Sequence, residues 1–227
     1  MAILEGIFGP ISGRLGDCVF RNRGGKTIIA ALPRKRSSPK NAAEIENEKK
    51  FGLTGKIAKS INSVEIIKQF WQPTARKNQS CYQAIFKKNY GWLNVENLGG
   101  HTFLTSDFGF NLTNPAIYPA KTNVLIECEV LGDHSKFDTS VEKYVAAAGI
   151  IVFKDPLTEG APMYESLGFK SNNYLLYPSE YLCLSVKLTQ EQLLKFERYS
   201  IKRVFAVFVT LDESGRAIQY SEIFCSK

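Results

Sequence analysis

The string Gly24-Gly25-Lys26-Thr27 is the first part of this chain that could do chemistry. A glycine loop cradles phosphate when Gly, four residues and then Gly-Lys-Ser/Thr lead from a strand into a helix. Here the position five before Gly25 is Phe20, and the following TIIAAL is strand-forming, so the string reads as a hairpin turn. The two histidines, His101 and His134, fall in separate loop-like passages. Asp133 beside His134 could orient an imidazole, yet neither histidine has a nucleophile motif or metal-ligand spacing around it. Asp212 and Glu213 are adjacent in a turn, so their carboxylates are expected to diverge into solvent. No GxSxG, HExxH or paired metal carboxylates occur. The expectation is a non-enzymatic protein with no cofactor, no metal and no small-molecule substrate.

The five cysteines, Cys18, Cys81, Cys128, Cys183 and Cys225, are odd in number, widely spaced and without a CxxC pair. A disulfide framework wants an even count in a small secreted chain, and a zinc site wants close pairs. Cys128 and Cys183 lie in the strand-like runs VLIECEVL and YLCLSVKL and read as small buried hydrophobes. The opening MAILEGIFGPISGRLG lacks the basic and long apolar regions of a secretory signal, so synthesis in a reducing cytoplasm is expected. No apolar run approaches the ~18 residues of a membrane-spanning helix.

Charge supplies the stronger signal. Of 227 residues with net charge +7, residues 1–98 hold 17 Lys/Arg against 7 Asp/Glu, whereas 99–227 hold 12 against 15. The excess is sharpest in 14–40, where Arg14, Arg21, Arg23, Lys26, Arg34, Lys35, Arg36 and Lys40 face the single acid Asp17. Such asymmetry points to an anionic partner. The partner could be nucleic acid, a membrane surface, an acidic face of another protein, or the C-terminal half of a neighbouring copy. Phe20 is available for stacking on a base, but no zinc-finger or ribonucleoprotein signature accompanies it.

The elements that position these residues follow from local patterns. CVFRNRGGKTIIA is a hairpin with Gly24-Gly25 in the turn, too short to be stable unless packed on something else. PRKRSSPK (33–40) is a basic loop. Asn41 and Glu44 form a capping box that opens a helix carrying Leu53, Ile57, Ile61 and Val64 at helical spacing, while Gly52 and Gly55 permit close approach. Ser63 is expected to cap VEIIKQFW, and a third helix is expected over 74–89 with Cys81, Tyr82, Ile85 and Phe86 inward. From about residue 99 the period becomes two. Strands are expected at 122–131, 144–153, 162–167, 181–188, 202–211 and 217–224, with a short helix at 189–200 opened by Thr189 and Gln192. The fold class is therefore α+β: a basic N-terminal β-hairpin plus helices (1–98, arm 1–40, helices 41–90), followed by an antiparallel β-sandwich (99–227).

The run SGRLGDCVFRNRGGKTIIAALPRKRSSPKNAAEIENEKKF resembles the opening of a function-unknown family common in Bacteroidetes genomes and in phage and prophage-like clusters. NLGGHTFLTSDFGF and the closing FVTLDESGRAIQYSEIF are similar to later parts of that family, over nearly the full chain. The resemblance implies helices followed by a C-terminal sandwich and transfers no catalytic or binding residue. With the charge pattern, it leads us to expect a structural subunit of a phage-like particle or other assembly, incorporated in a virion or particle. Its basic arm would contact neighbours as a homo-oligomer or with other subunits. The alternative is a nucleic-acid-binding module using residues 14–40.

Overall fold

A computed structural model describes residues 2–4, 12–23, 25–32, 38–76, 79–95, 98, 102–120, 122–132 and 136–226. The chain divides into two compact units, Met1–Glu44 and Ile45–Lys227.

The first unit is a four-stranded antiparallel sheet in the order β1-β4-β3-β2. Its strands are β1 (Ala2–Leu4), β2 (Gly13–Leu15), β3 (Cys18–Arg23) and β4 (Lys26–Ala31). β3 and β4 are the expected hairpin: Arg23 pairs with Lys26 across the turn, and Gly25 has φ +77°, a conformation that glycine adopts without steric cost. Because Thr27–Ala31 continue as strand, no helix N-terminus follows the Gly-Lys-Thr string.

The second unit begins in α1 (Ala42–Ser63), followed by α2 (Glu65–Trp71) and α3 (Cys81–Trp92). The Asn41–Glu44 box holds: Glu44 N–H donates to Asn41 Oδ1 at 2.8 Å, and Asn41 N–H donates to Glu44 Oε2 at 2.9 Å. Ser63 does not cap α2; its hydroxyl donates to the Ser60 carbonyl at 2.7 Å, and Val64 occupies the cap without a side-chain bond. α3 starts later than expected because Ser80 and Gln83 form a capping box there. On α3, Ile85 and Asn89 are buried and Tyr82 is exposed, so Tyr82 does not face inward as expected. Asn89 uses its amide like a strand partner, accepting from Phe103 N–H at 2.9 Å and donating to Phe103 O at 3.1 Å.

The sheets are antiparallel. One has the order β10-β6-β5, built from β5 (Ala116–Pro119), β6 (Asn123–Cys128) and β10 (Leu182–Lys187). The other follows β12-β11-β7-β8, with β7 (Tyr144–Pro156), β8 (Tyr164–Lys170), β11 (Tyr199–Leu211) and β12 (Ala217–Tyr220). β9 (Tyr174–Leu175) pairs with β7, and β13 (Phe224–Cys225) with β11. The strand expected at 217–224 is split into β12 and β13. At Ser221 the N–H donates to the Phe208 carbonyl at 2.9 Å, but Phe208 N–H donates to the Ser221 hydroxyl at 2.9 Å rather than to its carbonyl. On the opposite edge Phe110 N–H donates to the Tyr220 carbonyl at 3.0 Å and Glu222 N–H to the Phe110 carbonyl at 2.7 Å. α4 (Gln190–Arg198) is the expected inter-strand helix, with Thr189 and Gln192 as its capping box.

Both faces of the larger sheet are covered. Ala146, Ala148, Ile150 and Val152 of β7, with Phe205, Val207 and Val209 of β11, pack with Leu53, Ile57, Ile61 and Trp71 of the helices. The alternate residues Val145, Ala147, Ile151 and Phe153, with Val204, Ala206 and Phe208, pack with Ile117, Val124, Ile126 and Leu184 of the smaller sheet. The second unit is therefore layered as helices, large sheet, small sheet. Gly168 permits the helix layer to lie close: a Cβ there would stand 2.6 Å from Val64 Cγ2 and 2.7 Å from Ser60 O. At the end of α2, Trp71 fills the helix-side core, and its Nε1–H is satisfied by donating to the Leu104 carbonyl at 2.7 Å.

This layering moves the expected boundary at 98/99. Helices expected to stand with the arm share a core with the sheet, so the division falls in the first turn of α1. The physical reason is that the outer face of β7 and β11 is as apolar as the inner one and needs a covering layer.

Candidate functional site

The arm sheet determines where the basic residues stand. Residues paired across antiparallel strands share a face. Arg14 pairs with Val19, Arg21 with Ile28, and Arg23 with Lys26, and these pairs have the same parity along β3. Arg14, Arg21, Arg23 and Lys26 therefore occupy register positions on one face. The other face carries Gly13, Leu15, Cys18, Phe20, Thr27, Ile29 and Ala31. Arg14, Arg21 and Lys26 are exposed. Arg14 Nε donates to the Gly16 carbonyl at 3.1 Å, which closes the β2–β3 turn. Lys40 is exposed just before α1, outside the sheet. Arg34, Lys35 and Arg36 lie outside the described residues, as do His101, Asp133 and His134.

The described side chains of β2, β3 and β4 form little interior. Among them only Thr27 is buried; Val19, Phe20, Ile28 and Ile29 are half-buried, and Leu15 is 73% exposed. Burying a side chain such as Leu or Phe contributes about 1.5–3 kcal/mol, so these residues leave much of that stabilisation unrealised.

A second constellation, not anticipated from the sequence, lies on the outward face of the smaller sheet. Glu127 of β6 stands in register between Ala116 of β5 and Cys183 of β10. The neighbouring outward row is Tyr118, Leu125 and Ser185. Cys183 is exposed rather than buried as expected, and its thiol lies 3.5 Å from Glu127 Oε1. The parity of β10 turns Leu184 and Val186 inward and leaves Cys183 outside. The Tyr181 hydroxyl hydrogen-bonds Glu127, which together with burial and the carboxylate charge pushes the phenol up to about 12. Cys128, on the inner face of β6, is buried as expected, and burial pushes its thiol up to about 12. The available signal was the alternation Asn123-Leu125-Glu127, which places these three outward once Val124 and Ile126 are taken as core.

Two clefts lie elsewhere on the second unit. One, of about 420 Å³, is lined by Glu165, Lys195, Arg198 and Tyr199. Glu165 is held there by Lys56 at 3.2 Å and Lys195 at 3.3 Å, and Tyr199 donates to the Pro162 carbonyl at 2.8 Å. These groups satisfy one another and tie α1 and α4 to β8. The other, of about 480 Å³, is lined by Pro119, Phe196, Ser200 and Lys202, with Lys202 Nζ over the Phe196 ring at 5.3 Å. Neither brings a nucleophile next to a base. Among the described residues no helix is long and apolar enough to cross a membrane, and no group of three or more His, Cys, Asp or Glu is placed to hold a metal ion.

Comparison with known protein families, curated proteins and solved structures finds no match to this chain. The functional reading therefore rests on the arm sheet and the outward face of the small sheet.

Proposed function

We propose that this chain is a non-enzymatic assembly subunit whose N-terminal arm docks on a neighbouring molecule. The observation that carries the reading is the sparse burial in β2, β3 and β4: among their described side chains only Thr27 is buried, Val19, Phe20, Ile28 and Ile29 are half-buried, and Leu15 is exposed. Small sheets are marginal without a covering layer, and a neighbour supplies one. The layered second unit serves as the rigid body. The resemblance of the opening to phage and prophage-like proteins makes a phage-like particle our preferred setting, with incorporation in the virion as the destination. Sedimentation velocity of the full chain at low and high salt tests this. The expected result is an oligomer at low salt that dissociates as salt rises, because charge contributes to docking. A monomer at all salt concentrations and high protein concentration overturns it.

A second reading, binding to nucleic acid, is favoured by one observation: Arg14, Arg21, Arg23 and Lys26 stand on one face of the arm sheet. Each phosphate contact steepens the salt dependence of duplex binding by about 0.9 in log–log slope. Changing Arg14 and Arg21 together to Ala should then flatten the slope by about 1.8. Failure of the protein to bind heparin or DNA at low salt removes this reading.

A further inference from the structure

The outward face of β6 and β10 has the chemistry that an arginine-bearing arm requires. Glu127 is half-buried in register between Ala116 and Cys183, with the Cys183 thiol 3.5 Å from its Oε1, so its carboxylate is placed on this face beside Tyr181. Tyr118 and Tyr181 near it are 54% and 60% exposed. A carboxylate with open phenol rings suits a guanidinium, which gives paired N–H bonds to the carboxylate and lays its plane on a ring. The surrounding chain carries mainly the matching sign. Residues 122–132 and 171–187, which include β6 and β10, contain Glu127, Glu129 and Glu180 against one lysine, Lys187, at the far end of β10 opposite Asn123.

We infer that the Glu127–Tyr118–Tyr181 face receives the arm of a second copy, with Arg14 or Arg21 against the carboxylate. The inference rests on the assembly reading above and names a surface for the arm's arginine-bearing face. Charge selects this face over the helical layer, because residues 42–92 hold nine Lys/Arg against four Asp/Glu and repel a basic arm. Charge also selects an arm over nucleic acid, since the three glutamates repel phosphate. The apolar members of the two faces match as well. Val19 stands in register beside Arg14 and Ile28 beside Arg21, and Leu125 lies beside Tyr118, so two sheets can pack face to face with the ionic contact at one side.

The test uses the full chain in low salt. Sedimentation velocity should show the Glu127→Arg variant, and separately the Arg14→Glu/Arg21→Glu variant, associating at least ~10-fold more weakly than wild type. An equimolar mixture of the two variants should recover association, because each supplies the charge the other has lost. A second measurement needs no variant. Carbodiimide coupling of mixed 15N-labelled and unlabelled wild-type protein should join Lys26 to Glu127, Glu129 or Glu180 across labelled and unlabelled chains. If wild type associates but Glu127→Arg associates equally well, or the couplings stay within one chain, this docking surface is wrong while the assembly reading stands. If wild type never associates, both fall.

Discussion

At the scale of single residues, the structure makes two positions unusually sensitive. Gly168 of β8 sits beneath α1, where an added methyl group meets the Ser60 carbonyl and the Val64 side chain below 3 Å. Backbone cannot yield there without lifting the helix from the sheet, so Gly168→Ala should cost about 1–3 kcal/mol, and Gly168→Val more, in urea denaturation. A wild-type midpoint for Gly168→Ala would show that α1 does not lie this close. Tyr181 is sensitive in another way. Its phenol is raised to about 12 chiefly by donating to Glu127. Because the carboxylate disfavours the phenolate, Glu127→Gln should lower this pKa toward the ordinary value of about 10. Ultraviolet difference titration of wild type and variant reads the change directly. An unshifted high-pH transition would mean that the two groups are not paired. The sequence carried half of this information: glutamate, tyrosine and cysteine were visible, but their meeting depends on the β6–β10 register, a pairing between positions far apart in the chain.

At the scale of elements, helix starts were legible wherever the capping pattern was complete. Asn41–Glu44 and Thr189–Gln192 form reciprocal side-chain and backbone bonds, as their spacing requires. Ser80–Gln83 follows the same rule and moves the start of α3 to Cys81, away from the position that the hydrophobic pattern alone suggested. Ser63 has the right residue type without the reciprocal partner, and it turns back to Ser60. Truncation separates the two cases. Ser80→Ala should lose about 1 kcal/mol of stability, the usual value of a cap, while Ser63→Ala should lose much less by thermal or chemical denaturation. Equal losses would mean that Ser63 contributes to α2 in a way that its geometry does not indicate. The strands behave similarly. The β3–β4 hairpin is local and follows from its glycine turn, whereas the break between β12 and β13 falls where the Ser221 hydroxyl, in place of its carbonyl, accepts from the Phe208 N–H.

At the scale of the whole molecule, the second unit owns the large apolar core. The helices, the large sheet and the small sheet fill one another's faces, and the division in α1 leaves that core intact. A chain comprising residues 45–227 should therefore fold, with one cooperative unfolding transition and helical and strand signals in circular dichroism. Under the proposed function it should also remain monomeric at salt concentrations where the full chain associates. Loss of cooperative unfolding in the truncated chain would show that the arm is needed for the core.

Local chemistry alone was sufficient for the α+β class, the arm hairpin, most strand centres and two helix caps, because periodicity, turn glycines and capping boxes act over a few residues. It also located the basic excess in the arm, and the alternation along β3 already implied that Arg21 and Arg23 share a face. Only tertiary structure decided that the helices belong with the sheet rather than with the arm. β7 and β11 are apolar at successive positions, which says that both faces are covered but does not say by what. Coverage depends on which distant elements reach each face, and that selection is made by long-range packing rather than by any local sequence signal.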